Sequence, residues 1–304
     1  MAASLPDPSL WTPALAGRHR LLHSPAGRLS LYDTGPEAAD PDRPPLLLVH
    51  SVNAVASAAE VAPLYEHYGR QRRVFALELP GFGDSERSDR LYTPRLMTDA
   101  LHAAVAVIRA EHGGVPVDLL AVSLSAEFAA RTWVESRHSL RRLALVSPTG
   151  LRGRRAARAP AGGTRVIPWL YRVLTWPVWS QGLFAQLTRP AVIRYFLRRT
   201  QGSPQIDERL WREGVRMARQ PGARHAPLHF VAGRLFSADV NAVYEAVTGP
   251  VWVSMATRGD FTDYRLRDTL TGRMNWRFET VEGGALPYFE DLPAFTARLD
   301  PFWL

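Results

Sequence analysis

A mostly parallel, doubly wound α/β sheet carrying a helical cap is the fold class that this chain of 304 residues predicts. Three observations predict it. Short apolar runs alternate with amphipathic helical patterns through the first half, which is how strands and crossover helices of a parallel sheet read. The alternation breaks after Pro148 into a helical stretch cut by prolines. Strand-like runs then return near Val251. At about 150 residues per domain the length suits two units, or one large domain with an insertion.

His19 to Ser24 and Arg28 to Asp33 read as two strands joined by the turn Pro25-Ala26-Gly27. Leu46 to Val49, after Pro44-Pro45, is apolar without interruption, the pattern of a strand buried on both faces. Val74 to Leu79, Val117 to Val122 and Leu143 to Val146 repeat it. Between them, Thr93-Pro94 supplies an N-cap followed by Pro at the first helical position. That helix carries Leu101, Val105 and Ile108 and stops near Gly113-Gly114. A second helix is expected from Ser125 to Ser136. Leu151 to Thr164 is rich in Arg, Ala and Gly without apolar periodicity and reads as a connector. From Arg165 to about Val231, prolines at 168, 177, 190, 204 and 221 divide the chain into short helices. Val251 to Met255 and Trp276 to Val281 are strands, and a last helix is expected near Pro293. The core is expected over 1–149 and 241–304, with the cap over 150–240.

Composition narrows the class. Hydrophobic residues are 46% and charged residues 22%, which excludes a mainly disordered chain, a collagen and a coiled coil. No apolar run approaches the ~18 residues of a membrane span. Met1 to Leu10 has neither a basic start nor an apolar stretch, so no signal peptide is expected. Cysteine is absent, which excludes disulfides, thiolate zinc sites and a Cys nucleophile and fits a cytoplasmic location. The formal net charge is +8, and every basic residue is Arg. Without lysine there is no Schiff base, no Ser–Lys dyad and no Walker-type phosphate loop. No His and carboxylate group has metal-ligand spacing, so neither metal nor cofactor is expected.

Ser123 carries the strongest chemical signal. It closes the run Leu119-Leu120-Ala121-Val122 and opens a helix, with small residues, Ala121 and Ser125, two positions to either side. A serine on a tight strand-to-helix turn, flanked by residues small enough for close backbone approach, is the nucleophile elbow.

Further segments extend the pattern. Leu46 to His50 followed by Ser51-Val52 resembles the strand-His-Gly segment of the α/β-hydrolases. Glu78 to Ser85 resembles that family's Asp-x-Pro-Gly-x-Gly-x-Ser stretch, with Glu for Asp. Pro250 to Asp260 resembles the strand and turn that deliver the acid, and Gly283 to Glu290 the last strand and its turn. These segments come in the family's order and cover nearly the whole chain outside the insertion. The chain therefore resembles a capped α/β-hydrolase. The resemblance implies a serine-hydrolase-like protein acting on an ester or similar acyl bond of a small, largely apolar substrate. Ser123 would attack, and the N–H groups of Leu124 and of Val52 or Ser51 would hold the oxyanion. Asp260 would be the acid, with Asp263 the second choice.

The departure lies at the base. The family's Gly-His-x-Pro-x-x-Glu setting reads Gly284-Ala285-Leu286-Pro287-Tyr288-Phe289-Glu290 here, and no His follows His229. His50, His225 and His229 remain as bases. His50 reads first as a ring that pins the oxyanion loop, and the other two lie in the insertion that covers the site in this family. The competing reading is a non-catalytic ligand-binding or interaction protein on the same fold, and Ala285 is what motivates it.

No acidic residue occurs between Glu135 and Asp207, whereas thirteen Arg lie from Arg137 to Arg199. Trp169, Tyr171, Trp176, Trp179, Phe184, Tyr195 and Phe196 sit among them. A cap with a cationic outer face and an apolar inner face suits acyl chains, an anionic substrate or an anionic membrane surface. A basic face with aromatics also fits single-stranded nucleic acid, but no motif supports that, and no nucleic acid is expected.

Overall fold

The computed structural model describes residues 13–36, 40, 42–260 and 262–304. Met1 to Leu10, read above as carrying no export pattern, lies outside the described residues. One eight-stranded sheet organises the chain: β1 (Arg18–Ser24), β2 (Gly27–Asp33), β3 (Leu46–Val49), β4 (Val74–Leu77), β5 (Val117–Val122), β6 (Leu140–Val146), β7 (Val251–Ala256) and β8 (Trp276–Val281). Their order is β1-β2-β4-β3-β5-β6-β7-β8. β2 pairs antiparallel with β1 and β4, and every other pairing is parallel.

Two strands differ in length from their apolar runs, for polar reasons. β4 stops at Leu77, because the amide of Leu79 turns to the ring of His50. β6 begins at Leu140, three residues before its apolar run. Arg141 extends the strand there because its guanidinium is held by buried Asp118, with Nε and Nη2 at 2.9 and 2.7 Å.

The helices are α1 (Ala62–Tyr68), α2 (Pro94–Glu111), α3 (Ser125–Glu135), α4 (Pro168–Leu174), α5 (Ser180–Leu187), α6 (Pro190–Gln201), α7 (Glu208–Ala218), α8 (His225–Val231), α9 (Val240–Ala246) and α10 (Leu292–Trp303). The continuous apolar strands make sense because both faces of the sheet are covered. Leu47, Val49, Leu119 and Ala121 join one buried cluster with residues of α2, α3 and α9. Leu46, Leu48, Leu120 and Val122 join the other with residues of α1 and α10. Each leucine so buried contributes about 1.5–3 kcal/mol relative to exposure. Thr93 caps α2 by accepting from the amide of Leu96, and Pro94, Pro168 and Pro190 open α2, α4 and α6.

α4 to α9 all lie in the stretch between β6 and β7, with one bridge between Thr164 and Ser237 across it. The short helices expected there form, each seven to twelve residues long, and α4 and α6 open on prolines. α6 ends on Gly202, whose φ of 60° is the left-handed conformation that glycine adopts without strain. Among the described residues no helix is long and apolar enough to cross a membrane.

Candidate active site at Ser123

Ser123 follows the last residue of β5 and takes φ 55°. Its amide donates to the Val146 carbonyl at 2.8 Å, and its carbonyl accepts from the amides of Ala126 (3.2 Å) and Thr149 (3.3 Å). The turn is therefore tied to β6 on one side and to α3 on the other. A left-handed conformation costs a residue with a Cβ about 1–2 kcal/mol. We expect Ser123→Gly to release most of that and raise Tm by roughly 2–4 °C. Ser123→Ala, which keeps the Cβ, should give no such gain, and equal melting temperatures for the two variants would show that the turn holds no strain. The small flanks have separate reasons. Ala121 stands opposite Val49 in the central ladder. Ser125, where glycine is usual, donates from its hydroxyl to the His50 carbonyl at 2.5 Å, binding the elbow to the end of β3.

The loop after β3 is fixed by two buried groups. His50 Nε2 accepts from the Leu79 amide at 3.1 Å, so Nδ1 carries the proton and donates to the Ser51 carbonyl at 2.5 Å. Burial lowers its pKa to about 4. The ring is neutral, both nitrogens are used, and it pins the loop instead of serving as a base. Glu60 is the second group. Its carboxylate accepts from the Ser51 amide (2.7 Å) and from Asn53 Nδ2 (2.5 Å). Burial pushes its pKa up, although the bonds to Ser51 and Asn53 oppose this. The Ser51 amide is thus spent on Glu60 and is not an oxyanion donor, contrary to the expectation that it stood level with Val52. The amides of Val52 and Leu124 make no hydrogen bond to any described residue.

The acid and base positions are occupied differently from the resemblance. Asp260 is half exposed and pairs with Arg199 of α6, its two oxygens 3.0 and 3.1 Å from Nε. Asp263 pairs with Arg265 at 2.6 Å, which holds its carboxyl well below the usual range. Gly259, where the resemblance places the acid, has φ 80°, and a Cβ there would collide with the Thr200 carbonyl. In the turn after β8, Glu290 accepts from the Gly284 amide at 2.9 Å and pairs with Arg258. The Ala285 amide donates to the Thr200 carbonyl at 3.2 Å, and a Cβ on Gly284 would collide with the Gln201 backbone. Ala285 and Gln201 are both buried, and Gln201 Nε2 has no partner among the described residues. The end of α6 therefore packs directly on the turn where the family carries its base.

The cap histidines serve other contacts. His225 Nδ1 lies 3.4 Å from Asp89, and burial lowers its pKa. His229 Nε2 meets the Tyr171 hydroxyl at 3.0 Å, and burial with the nearby Arg234 brings it down to about 4. Ser123 Oγ makes no hydrogen bond to Asp260, Asp263, His50, His225 or His229. The structure brings Ser123, Leu124 and Val52 to the carboxyl ends of β5 and β3; of the proposed acids and bases only His50 lies there, and both of its ring nitrogens are spent on the loop.

Sequence reasoning did not foresee the burial of three glutamates, Glu60, Glu78 and Glu127. Glu60 holds the oxyanion loop as described. Glu78, pushed up to about 7 by burial and the neighbouring Asp84, accepts from the amides of Ala58 (3.0 Å) and Asp84 (2.6 Å). A Cβ on Gly83, at φ 55°, would collide with this carboxyl, which is why the Pro-Gly-x-Gly stretch needs its second glycine. Glu127, one turn beyond Ser123 on α3, accepts from Thr149 Oγ1 (2.6 Å) and the Ser237 amide (2.8 Å), and burial raises it to about 7. The available signal was the same for Glu60 and Glu127: an acid within a run of alanines and other apolar residues. Among the described residues no group of three His, Asp or Glu could hold a metal.

No family model and no curated protein matches this chain. Solved structures do. Cfl2 from Burkholderia cenocepacia aligns with a TM-score of 0.72 at 20% identity, over 94% of this chain and 95% of its own. CarC, a serine hydrolase involved in carbazole degradation, aligns with a TM-score of 0.71 at 14% identity, over 94% and 98%. Carboxylesterase CesB from Bacillus subtilis aligns with a TM-score of 0.67 at 16% identity, over 94% and 91%. At such identities the likeness is one of architecture. It agrees with the strand order, the left-handed serine between β5 and α3 and the helices inserted after β6: the chain has the α/β-hydrolase fold.

Proposed function

We propose that the chain holds the acyl group of a small, largely apolar ester-like compound at Ser123 and acts on it as a serine hydrolase without a positioned base. The observation that carries this reading is the elbow itself, Ser123 at φ 55° with the amides of Leu124 and Val52 unspent. Two unspent N–H groups beside the serine suit the oxygen of a carbonyl that becomes tetrahedral. The side chains of Val52 and Leu124 favour an apolar ligand, since both belong to one buried apolar cluster. Ser123 Oγ adds to the carbonyl carbon, solvent takes the hydroxyl proton, and the leaving oxygen departs with a proton from solvent; water then adds to the acyl carbon, and Ser123 Oγ leaves with a proton to free the acid. Sites stripped of triad members keep roughly 10³–10⁴-fold acceleration from oxyanion stabilisation and binding. Turnover is therefore slow.

A second reading has one observation of its own. Thr200 and Gln201 seal the turn carrying Ala285, and Asp260 is tied to Arg199, as suits a ligand-binding protein with no catalytic role. A fluorophosphonate probe separates the two. Under the first reading the wild type labels slowly and Ser123→Ala not at all. Without an internal base the labelling rate should rise about tenfold per pH step, with no plateau near neutrality. A plateau there would reveal a base, and absence of labelling at every pH would leave the binding protein.

A further inference from the structure

The connector and first helices of the insertion leave a dense apolar surface uncovered. α4 buries none of its residues. Ile167, Trp169, Val173, Trp176, Val178 and Trp179 are all exposed, Trp169 at 67% and Val178 at 83%. The rings of Trp176 and Trp179 stack at 6.1 Å, and Trp179 Nε1 donates to the Val173 carbonyl at 2.8 Å, so the indoles are ordered by the segment itself. Exposed apolar residues at this density in one short segment mark an interaction surface more often than a bare one. Arg172 lies within the segment and Arg189 follows α5, both exposed, and no carboxylate occurs between Glu135 and Asp207.

We infer that this face of the insertion docks on an anionic lipid bilayer. The charge is complementary. Several Arg of the stretch are paired with carboxylates from elsewhere, such as Arg158 with Glu245 and Arg194 with Glu208. Arg172 and Arg189 beside the indoles are exposed, and guanidinium groups so placed are drawn to acidic headgroups. The side chains fit as well: exposed indoles partition to the headgroup level of a bilayer. Val178 decides against a protein partner. Standing between Pro177 and Trp179 at 83% exposure, it projects outward, and a bilayer accepts a projecting apolar side chain without a matching pocket. The docking does not depend on whether Ser123 reacts.

The test is co-sedimentation of the full chain with vesicles of phosphatidylcholine, alone and mixed with phosphatidylglycerol, at low and high salt. Binding is expected to the mixed vesicles only and should fall with salt. Trp176→Ala with Trp179→Ala should weaken it at least about tenfold, and Arg172→Gln and Arg189→Gln roughly fivefold each. None of these side chains is buried, so circular dichroism should match the wild type. Failure to sediment with the mixed vesicles overturns the proposal, as does equal binding to both vesicle types that the Arg variants leave unchanged. A lipid-indifferent dimer that the Trp double variant converts to monomer also overturns it and assigns the face to a second copy of the chain.

Discussion

Glu127→Gln is expected to stabilise the protein by roughly 3 kcal/mol above about pH 8, and to lose that advantage as the pH falls to about 4.5. The carboxyl is fully buried on α3, and burial raises its pKa from 4.5 to about 7. Between those values the folded state binds a proton that the unfolded state has released. Stability therefore falls as pH rises through this window and levels off above it. Below pH 4.5 both states are protonated, and the wild type differs from Gln only in geometry. Gln fits: its oxygen accepts from the Ser237 amide, and its NH₂ donates to Thr149 Oγ1 once that hydroxyl turns. Glu78 titrates in the same range, which is why the comparison must be between variant and wild type and not between two pH values of one protein. Urea denaturation of both proteins at the two ends of the window measures it. A variant-to-wild-type difference that stays constant with pH would mean that Glu127 titrates normally, with water reaching the carboxyl through the stretch around Ser237. The position matters for the site, because Thr149 also donates its amide to the Ser123 carbonyl.

What could be read from the residues alone follows from what each kind of contact leaves in a sequence. Leu46–Val49 and Val117–Val122 were legible to the residue, because a strand buried on both faces leaves a run that is apolar throughout or broken once, here by Asp118. Trp276–Val281, an edge strand with exposed positions, was legible from its strand-forming Trp, Phe, Thr and Val. The elbow was legible because it needs a serine at one junction and small neighbours, all within seven residues. Ala285 was legible as the one departure within a turn that otherwise resembles the family's. The partners of the remaining groups were not. Asp260 meets Arg199 across 61 residues, and the Ala285 amide meets Thr200 across a comparable gap. Such pairings depend on how α6 lies on the core, and nothing local in either segment encodes them. The use of the Ser51 amide by Glu60 was hidden for a subtler reason. A backbone donor looks the same in every sequence, and only the buried acid nine residues on hints where it points.

Ala285→His alone is expected to leave hydrolysis of a simple aryl ester within about tenfold of the wild type. Ala285→His combined with Gln201→Ala and Arg199→Gln should raise it by ~10²–10⁴-fold, the contribution of a positioned base. The single substitution fails on two counts. The turn is covered by the end of α6: the Ala285 amide is bound by the Thr200 carbonyl, and the Gln201 backbone leaves no room even for a Cβ on Gly284. An imidazole there also lacks an acid, because Asp260 is engaged by Arg199. Removing the buried Gln201 side chain loosens the hold of the α6 end on this turn at little polar cost, since its amide nitrogen has no partner among the described residues. Arg199→Gln releases Asp260, and as the pair is exposed its loss should hardly change stability. Placing the acid at Gly259 is not an alternative, because that residue sits at φ 80° against the Thr200 carbonyl. If the gain comes from a rebuilt triad, the rate should acquire a plateau above an imidazole pKa near 6.5, and adding Ser123→Ala should abolish it. Full gain from Ala285→His alone would show that the end of α6 moves aside readily. A triple variant that folds as the wild type but shows neither gain nor plateau would place the obstacle at the acid, with Asp260 unable to reach the ring even when freed.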